Sequence, residues 1–483
     1  MAVTAMDAGV LGPFLAKRLI GPDLPRAEEL MREYLALACD EDDAGWPTTQ
    51  ATTVDVLSEV PSRVLSRFTK LLFNHYFQYD LYGPDRERNF LVLSSGSMHE
   101  PTFGLTPSLK RCLGIALRRD WYGYSDSRGR VNARQAVARL ENQRLGVTAY
   151  DEDCVAVTMG GTFAVSCLVD YLATTLPPGS AVCAVPNYPP LVESVAQRMP
   201  LRLVNTPTDR EHTSVARICD ALSDDTRLVL LQSVTNPTGL PVSETELEQV
   251  IAATGPQTYL ILDEAHECFG APRPLSPLRA HPRVIRVTSL SKQLSIPGMK
   301  VGWMLGTRDF VDGFYEYAST TYGGPASFFY SLVDVYATFE RLALSGVDDI
   351  RDDELRGIEQ RYDMAAATAQ RWYARYRTER NTRIGRFLAQ RSYAVEALRA
   401  AGYRVVTPRY SVNCTVEVDS ASSYRFFRRA LDVGVSVYPN VLAFDLSDRG
   451  VRLTVGRDFA ELRQALSRLG QVCLRRTGRS DDR

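Results

Sequence analysis

The chain has 483 residues, of which 45% are hydrophobic and 23% charged, and its 56 lysines and arginines balance 57 acidic residues. This composition indicates a globular protein of two to four domains, or one large domain with a satellite, and excludes disordered, collagen-like and coiled-coil chains. A net charge of -1 argues against a protein that binds nucleic acid or an anionic membrane, because those partners need a basic surface.

The cysteine and hydropathy patterns indicate a cytoplasmic protein. The nine cysteines are scattered and form no C-x-x-C pair, which is typical of reduced core cysteines and predicts no metal site. No apolar run reaches about 18 residues, so no membrane span is expected. Residues Met1 to Ile20 lack the charged start and long apolar run of a signal peptide.

The predicted secondary structure divides the chain into three parts, of which the first two are residues 1–95 and 96–325. Residues 1–95 are predicted to form a helical extension, with helices near Ala27–Cys39 and Val60–Phe77. Residues 96–325 alternate short apolar strands with helices, which implies parallel pairing with helices on both faces of a sheet. The predicted strands are Cys154–Met159, Ser180–Val185, Arg227–Ser233, Tyr259–Asp263 and Arg283–Ser289, and the predicted helices are Pro107–Arg118, Asn132–Leu145, Thr162–Thr175 and Glu244–Ala253.

The third part, residues 326–483, is predicted to be a small C-terminal α+β domain with inserted long helices. Residues 325–400 read as helical, and the highly charged stretch Asp348–Arg391 is predicted to be a solvated helical pair. Strands and helices then alternate again. The predicted strands are Tyr403–Val406, Cys414–Val418, Val435–Pro439 and Val451–Val455, and the predicted helices are Ala421–Val433 and Phe459–Leu469.

Short motifs follow one another in an order that carries chemical meaning. They are Tyr124 before Gly129, Gly160-Gly161-Thr162 at a strand-to-helix turn, Asn187-Tyr188-Pro189, Thr235-Asn236-Pro237-Thr238-Gly239, Asp263-Glu264-Ala265-His266, Ser289-Leu290-Ser291-Lys292, Gly298-Met299-Lys300-Val301-Gly302 and Val451-Arg452-Leu453. Over roughly residues 95–470, this ordered set resembles the class I/II aminotransferase family of fold-type I enzymes, which use pyridoxal 5'-phosphate (PLP).

The resemblance implies an architecture and an assembly. The expected fold is α/β, with a large domain built on a mixed, mostly parallel seven-stranded sheet between helices and a smaller α+β domain. The expected assembly is a homodimer with active sites at the subunit interface. Residues 1–95 are expected to contribute to the small domain and to dimer contacts.

The resemblance also assigns the residues around the cofactor ring. Lys292 is expected to form the internal aldimine and then to act as the general base at the substrate's Cα. Asp263 is expected to keep the ring nitrogen protonated, and Tyr188 to stack on the ring face. Asn236 and His266 are expected to hydrogen-bond the ring hydroxyl.

Phosphate and substrate groups are expected to bind at further positions. A phosphate needs backbone N–H groups, a helix N-terminus and a cation. The predicted phosphate ligands are Gly160, Gly161, Thr162, Ser289, Ser291 and Lys300, with Tyr124 reaching across from a second subunit. Arg452 is expected to grip the substrate α-carboxylate through its two-pronged guanidinium.

Three positions depart from the family pattern. His266 replaces the usual tyrosine, and we expect its protonation to change near neutral pH. Lys300 replaces the usual arginine, so the positive charge is kept but the planar guanidinium, which can donate two parallel hydrogen bonds, is lost. Asn440 replaces the usual glycine. These departures suggest an unusual substrate or a diverted reaction.

The main hypothesis is therefore an aminotransferase that passes the amino group of an amino acid to a 2-oxo acid. The first alternative keeps the fold and cofactor but ends in elimination or replacement, decarboxylating or oxidative deamination, or cyclopropane formation, as in specialised metabolism. A second alternative is a transcription regulator with a winged-helix N-terminus. The first 90 residues argue against it, because they are net acidic and show no helix-turn-helix followed by a basic wing.

Overall fold

The computed structural model describes residues 26–40, 60–82, 90–348 and 352–477, together with Leu11, Phe14, Leu15, Arg18, Leu57 and Ile350. Two helices open the described part of the chain, Ala27–Cys39 (α1) and Ser62–His75 (α2), and α2 continues into a π-helical turn at residues 76–81. The predicted helix near Val60–Phe77 corresponds to α2. A two-residue strand, Leu91–Val92 (β1), pairs in parallel with residues 435 and 436 near the other end of the chain.

A long α/β segment follows. Its helices are Glu100–Phe103 (α3), Pro107–Arg118 (α4), Val131–Leu145 (α5), Gly161–Thr175 (α6), Pro189–Ala196 (α7), Arg217–Ala221 (α8), Glu244–Ala253 (α9), Leu290–Gln293 (α10) and Arg308–Thr321 (α11). Its strands are Val155–Thr158 (β2), Ser180–Val185 (β3), Leu201–Asn205 (β4), Thr226–Gln232 (β5), Tyr259–Asp263 (β6), Val284–Ser289 (β7) and Gly302–Leu305 (β8).

The seven strands form one mixed sheet in the order β2-β8-β7-β6-β5-β3-β4. Strand β8 runs antiparallel to both of its neighbours, and the other pairs are parallel. The prediction of a mostly parallel seven-stranded sheet between helices is therefore confirmed. In register, Gln232 faces Asp263 and Asp263 faces Val287, so the carboxyl ends of β5, β6 and β7 lie side by side.

Three helices follow the sheet, namely Tyr330–Leu344 (α12), Asp352–Tyr362 (α13) and Ala366–Ala400 (α14). The expectation of a solvated pair over 348–391 is wrong for one face of α14. The side chains of Trp372, Tyr373 and Tyr376 are buried in the same apolar core as α4, α5 and α12. The many arginines of this stretch favoured a charged surface, but Arg377 lies over the Tyr373 ring and Arg380 pairs with Glu340 of α12.

The remaining elements form a four-stranded antiparallel sheet, two helices and a further strand, which pairs with β1. They are Arg404–Val406 (β9), Asn413–Glu417 (β10), Ser423–Asp432 (α15), Val435–Ser436 (β11), Tyr438–Pro439 (β12), Gly450–Thr454 (β13) and Phe459–Thr477 (α16). The sheet order is β12-β13-β10-β9. Helix α1 contacts α15, and the Tyr34 hydroxyl of α1 donates to Asp448 at 2.7 Å. The domain boundaries at residues 95 and 325 stay predictions.

None of the helices in the described ranges is both long enough and apolar enough to cross a bilayer.

Candidate active site

Lys292 lies just beyond the carboxyl end of β7. That strand ends at Ser289, whose side chain accepts a hydrogen bond from the Ser291 N–H at 3.2 Å and so starts helix α10. The Nζ of Lys292 donates to the carbonyl of Gly96 at 2.6 Å. Burial, followed by the charge of Arg452, lowers the pKa of Lys292 to about 8. The neutral amine is therefore more populated near neutral pH than in an exposed lysine.

Asp263 ends the neighbouring strand β6 and is only 7% exposed. Its Oδ1 accepts a hydrogen bond from the Ala265 N–H at 2.9 Å. Burial raises the pKa of this carboxyl to about 6. No side chain of the described residues forms an ion pair with Asp263. This buried, negatively charged hydrogen-bond acceptor is therefore available to a cationic N–H donor.

Arg452 lies on β13 and reaches the same place from the C-terminal sheet. Its side chain is buried, and it donates to Asn236 Oδ1 at 3.0 Å and to the Ser94 carbonyl at 2.9 Å. The guanidinium carbon lies 3.9 Å from the ring centroid of Tyr438. Within the described part of the chain, Arg452 has no carboxylate partner, and its Nε has no hydrogen bond.

Gly96 brings Lys292 and Arg452 together. Its φ of +64° is left-handed, and a Cβ at this position would lie 3.2 Å from Arg452 Nη2 and 3.5 Å from Lys292 Nζ. Its N–H donates to Thr454 Oγ1 at 2.8 Å. Glycine is therefore required here by both the backbone conformation and the close approach of two cations.

A second group of residues forms a cradle suited to an anion at the start of α6. Gly160 has φ +81°, and a Cβ on Gly161 would lie 3.6 Å from Ser289 Cβ. The Ser289 hydroxyl donates to Ser291 Oγ at 2.8 Å. The N-terminus of a 15-residue helix thus faces two hydroxyls, an arrangement that favours a phosphate.

Two other predicted phosphate ligands lie at the edge of this cradle. Thr162 is exposed in the first turn of α6. Lys300 is exposed as well, and its backbone is left-handed, at φ 53° and ψ 54°. A Cβ on Gly160 would lie 3.7 Å from the Cα of Lys300, so the Lys300 backbone borders the cradle.

Tyr188 and His266 complete the central group. Tyr188 precedes α7 and packs edge-on against Phe73 of α2, with the ring centroids 5.9 Å apart. The buried His266 hydrogen-bonds through Nδ1 to Ser411 Oγ at 2.7 Å. The expectation that His266 changes protonation near neutral pH is wrong, because burial and the nearby charges of Lys292 and Arg452 hold its pKa well below the usual value.

Tyr124 stands apart from this group. It is fully exposed in the loop between α4 and α5. One chain alone therefore does not bring Tyr124 to the site, and its expected role from a second subunit stays a prediction. The roles of the other site residues also stay predictions, although the structure places them around one point.

Several residues of the site were missed in the sequence. They are Ser94, Gly96, Gln232, Ser411, Tyr438 and Thr454. The run Ser94-Ser95-Gly96-Ser97 is a turn signal that points to a loop. Nothing local to that run shows that it meets Lys292 and Arg452, because these contacts join distant parts of the chain.

Comparisons with known proteins identify the family of the chain. The sequence profile of the family described as aminotransferase class I and II matches residues 88–351. A probable N-acetyl-LL-diaminopimelate aminotransferase of Bacillus subtilis is 22% identical over 387 residues, which cover 78% of this chain and 88% of that protein. An aromatic amino acid aminotransferase of Mycobacteroides abscessus is 26% identical over 271 residues, which cover 55% and 63% of the two chains.

Solved structures show the same fold. N-succinyldiaminopimelate aminotransferase from Mycobacterium tuberculosis superposes with a TM-score of 0.64 at 21% identity, over 79% of this chain and 93% of that one. Aspartate aminotransferase from Thermus thermophilus with maleate gives a TM-score of 0.63 at 20% identity, over 87% and 98%. Because the family profile spans more than half of its length, the chain belongs to the class I and II aminotransferase family, and the predicted enzyme class is confirmed.

Proposed function

We propose that the protein is a PLP-dependent aminotransferase that moves the amino group of an amino acid to a 2-oxo acid, with Lys292 carrying the cofactor. One observation carries the proposal. Lys292 and Arg452 meet at Gly96, and the site around them also holds the buried carboxylate of Asp263. An amine, a cation without a carboxylate partner and a buried acid are the groups that amino-acid chemistry on PLP requires.

The residues present fit this cofactor. The cradle of Gly160, Gly161, Ser289 and Ser291 suits its phosphate, and the buried Asp263 suits a protonated ring nitrogen. When bound, PLP supplies an electron sink for the electron pair left at the substrate's Cα. The family supports the cofactor, and the donor set of this chain matches it.

Lys292 is assigned the proton transfers. Its lowered pKa, about 8, leaves a usable fraction of neutral amine. The amine can therefore act as a nucleophile toward an aldehyde and, once released, as a base toward the proton on Cα. The hydrogen bond to the Gly96 carbonyl holds the Lys292 Nζ in one orientation before the amine reacts.

Asp263, Asn236 and His266 are assigned to the cofactor ring. The Asp263 carboxylate would hold the proton of the ring nitrogen, and a cation there would lower the raised pKa of that carboxyl again. Neutral His266 accepts or donates one hydrogen bond at Nε2, because Nδ1 is occupied by Ser411. The amide nitrogen of Asn236 is the donor left over, since its oxygen is held by Arg452.

Arg452 is assigned to the substrate α-carboxylate. A guanidinium can bind a carboxylate through two parallel N–H···O bonds. The absence of an acidic partner within the described residues leaves the buried charge of Arg452 available for such a ligand. Tyr188, half-buried beside Phe73, would cover one face of the ring.

We also propose a cytoplasmic homodimer. All eight cysteines whose side chains the structure describes are free, which supports a reducing compartment. The exposed aromatic rings of Tyr122 and Tyr124 in one loop support an interface there. Sedimentation analysis of the wild-type protein and of Tyr124→Ser tests the interface, and a wild-type monomer at micromolar concentration would contradict the dimer.

The test of the function is a single-turnover experiment. The PLP-loaded protein is mixed with a panel of amino acids in the absence of any 2-oxo acid, and products and cofactor are read by mass spectrometry. One equivalent of 2-oxo acid, with pyridoxamine phosphate left on the protein, supports the aminotransferase. Repeated turnover with PLP retained and ammonia, CO₂ or a cleaved side chain released would instead support the diverted chemistry.

A further inference from the structure

Arg383 is a buried cation near Lys292 that the proposed reaction does not use. It lies in the middle of the 35-residue helix α14 and is 7% exposed. The first half of α14 belongs to the core shared with α4 and α12, and the second half, from Phe387 onward, belongs to the other core. Arg383 therefore lies where the helix passes from one core to the other.

The partners of Arg383 are backbone carbonyls. Its Nη1 donates to the carbonyl of Gln293 and makes a longer contact of 3.5 Å with the carbonyl of Phe103. The guanidinium also lies 5.6 Å from the ring centroid of Phe269. Within the described residues, Arg383 makes no ion pair with a carboxylate.

Both carbonyls belong to the last residues of short helices. Gln293 ends α10, which carries Lys292, and Phe103 ends α3, which follows the Gly96 loop. The final carbonyls of a helix lack intrahelical partners and carry partial negative charge, so a cation is favoured there. One guanidinium thus joins the segment that carries Lys292 to the segment that carries its acceptor.

We infer that Arg383 is a positioning residue, which holds the Lys292 segment against the Gly96 loop and so keeps the Lys292 amine directed at the Gly96 carbonyl. A second bond between the same two segments supports this role, since Ser295 Oγ donates to the Met98 carbonyl at 2.7 Å. The Arg383 and Ser295 bonds both follow the Lys292–Gly96 bond in sequence, at residues 293 and 295 of one segment and at residues 103 and 98 of the other. The inference rests on the proposed function only for the importance of Lys292, not for its contacts.

The chain offers a matched control on the same helix. Arg380 lies one turn before Arg383 and pairs with Glu340 at 2.7 and 2.8 Å. Arg380→Gln therefore removes a half-buried guanidinium from α14 without touching the segments of Lys292 or Gly96. Arg383→Gln removes the inferred clamp, and Arg383→Lys keeps the charge but loses the planar fork.

The experiment is trace acetylation of the cofactor-free protein between pH 6 and 11, with each labelled lysine quantified by mass spectrometry. The five lysines are readily resolved, and exposed Lys110 serves as the internal reference. The charged and titratable groups around Lys292 include Arg452, Asp263, Cys268, Lys300 and His266, and none of these five is changed. In both Arg383 variants we expect the partly buried amine to become more accessible to water, its titration midpoint to rise and its labelling at pH 8 to fall at least threefold relative to Lys110.

The outcomes separate the possibilities. Arg380→Gln is expected to label Lys292 as the wild type does. A wild-type profile in Arg383→Gln would overturn the inference, and so would a shift in Arg383→Gln with a wild-type profile in Arg383→Lys, because charge alone would then explain the effect. If Arg383→Gln does not fold, Arg383→Lys decides. Since the assay contains no cofactor, a failure of the protein to bind PLP would count against the proposed function and leave this test intact.

Discussion

Replacing Gly96 with alanine tests the centre of the site. The residue has φ +64°, and a left-handed alanine costs about 1–2 kcal/mol of stability. The new Cβ would also lie 3.2 Å from Arg452 Nη2, closer than an ordinary van der Waals contact. Arg452 must then shift by a few tenths of an ångström away from the position in which it donates to Ser94.

Gly146 provides the control. It ends α5 with φ +66°, and a Cβ there would meet nothing within 4 Å. Gly146→Ala therefore carries the same backbone cost without touching the site. The difference between the two variants isolates the contact with Arg452 and Lys292.

The expected result is a comparable loss of unfolding free energy in both variants but a loss of substrate affinity in Gly96→Ala alone. A displaced carboxylate ligand should cost about 1–2 kcal/mol, or about 5–30-fold in the KM of the best amino acid from the half-reaction panel. Urea denaturation measures the first quantity and the half-reaction the second. Equal KM values for Gly96→Ala and Gly146→Ala would refute the placement of Gly96 between the two cations.

Three further changes test other parts of the site. Lys292→Ala should abolish the borohydride-reducible cofactor adduct, and mass-spectrometric mapping of that adduct to any other lysine of the wild type would contradict the assignment. Asp263→Asn should fold nearly as the wild type does yet lose turnover, because the ring nitrogen loses its proton acceptor; near-normal turnover would count against the site. Glu264→Gln should lower the unfolding free energy by about 3–5 kcal/mol in urea titrations, because Glu264 pairs with the fully buried Arg279 and Arg286; a change below about 1 kcal/mol would show that the network tolerates the loss.

Local patterns in the sequence were enough to predict most of the sheet. Strand β6 and helix α9 were predicted with the observed bounds, because an apolar run before Asp263 and a serine cap before Glu244 are local signals. Strand β4 was missed, since Leu201–Asn205 lies at the sheet edge and includes an exposed arginine and a terminal asparagine. Strand β8 was missed because it begins at Gly302, which is also the last residue of the Lys300 motif.

Candidate site residues that lie in a sequence motif were predicted. Those that reach the site only through the folding of distant segments were missed. Lys292, Asp263 and Arg452 lie in motifs, and the structure brings them together. Gly96 has a role only because residues 292 and 452 reach it, which no local pattern can show. The hydrogen bond between His266 and Ser411 likewise joins residues 145 positions apart, so no local pattern could predict it.

The pairing of β1 with β11 has a consequence for the order in which the protein matures. The Ser94 and Ser436 hydroxyls at this junction lie 3.0 Å apart but are separated by 342 residues of chain. During synthesis on the ribosome, β1 and the Gly96 loop therefore lack their partner strand β11 until nearly the whole chain has been made. All seven strands of the large sheet, in contrast, have been synthesised by residue 305. Contacts of such long range form late. A nascent chain can thus hold a folded sheet well before it holds the pairing that positions the Gly96 loop.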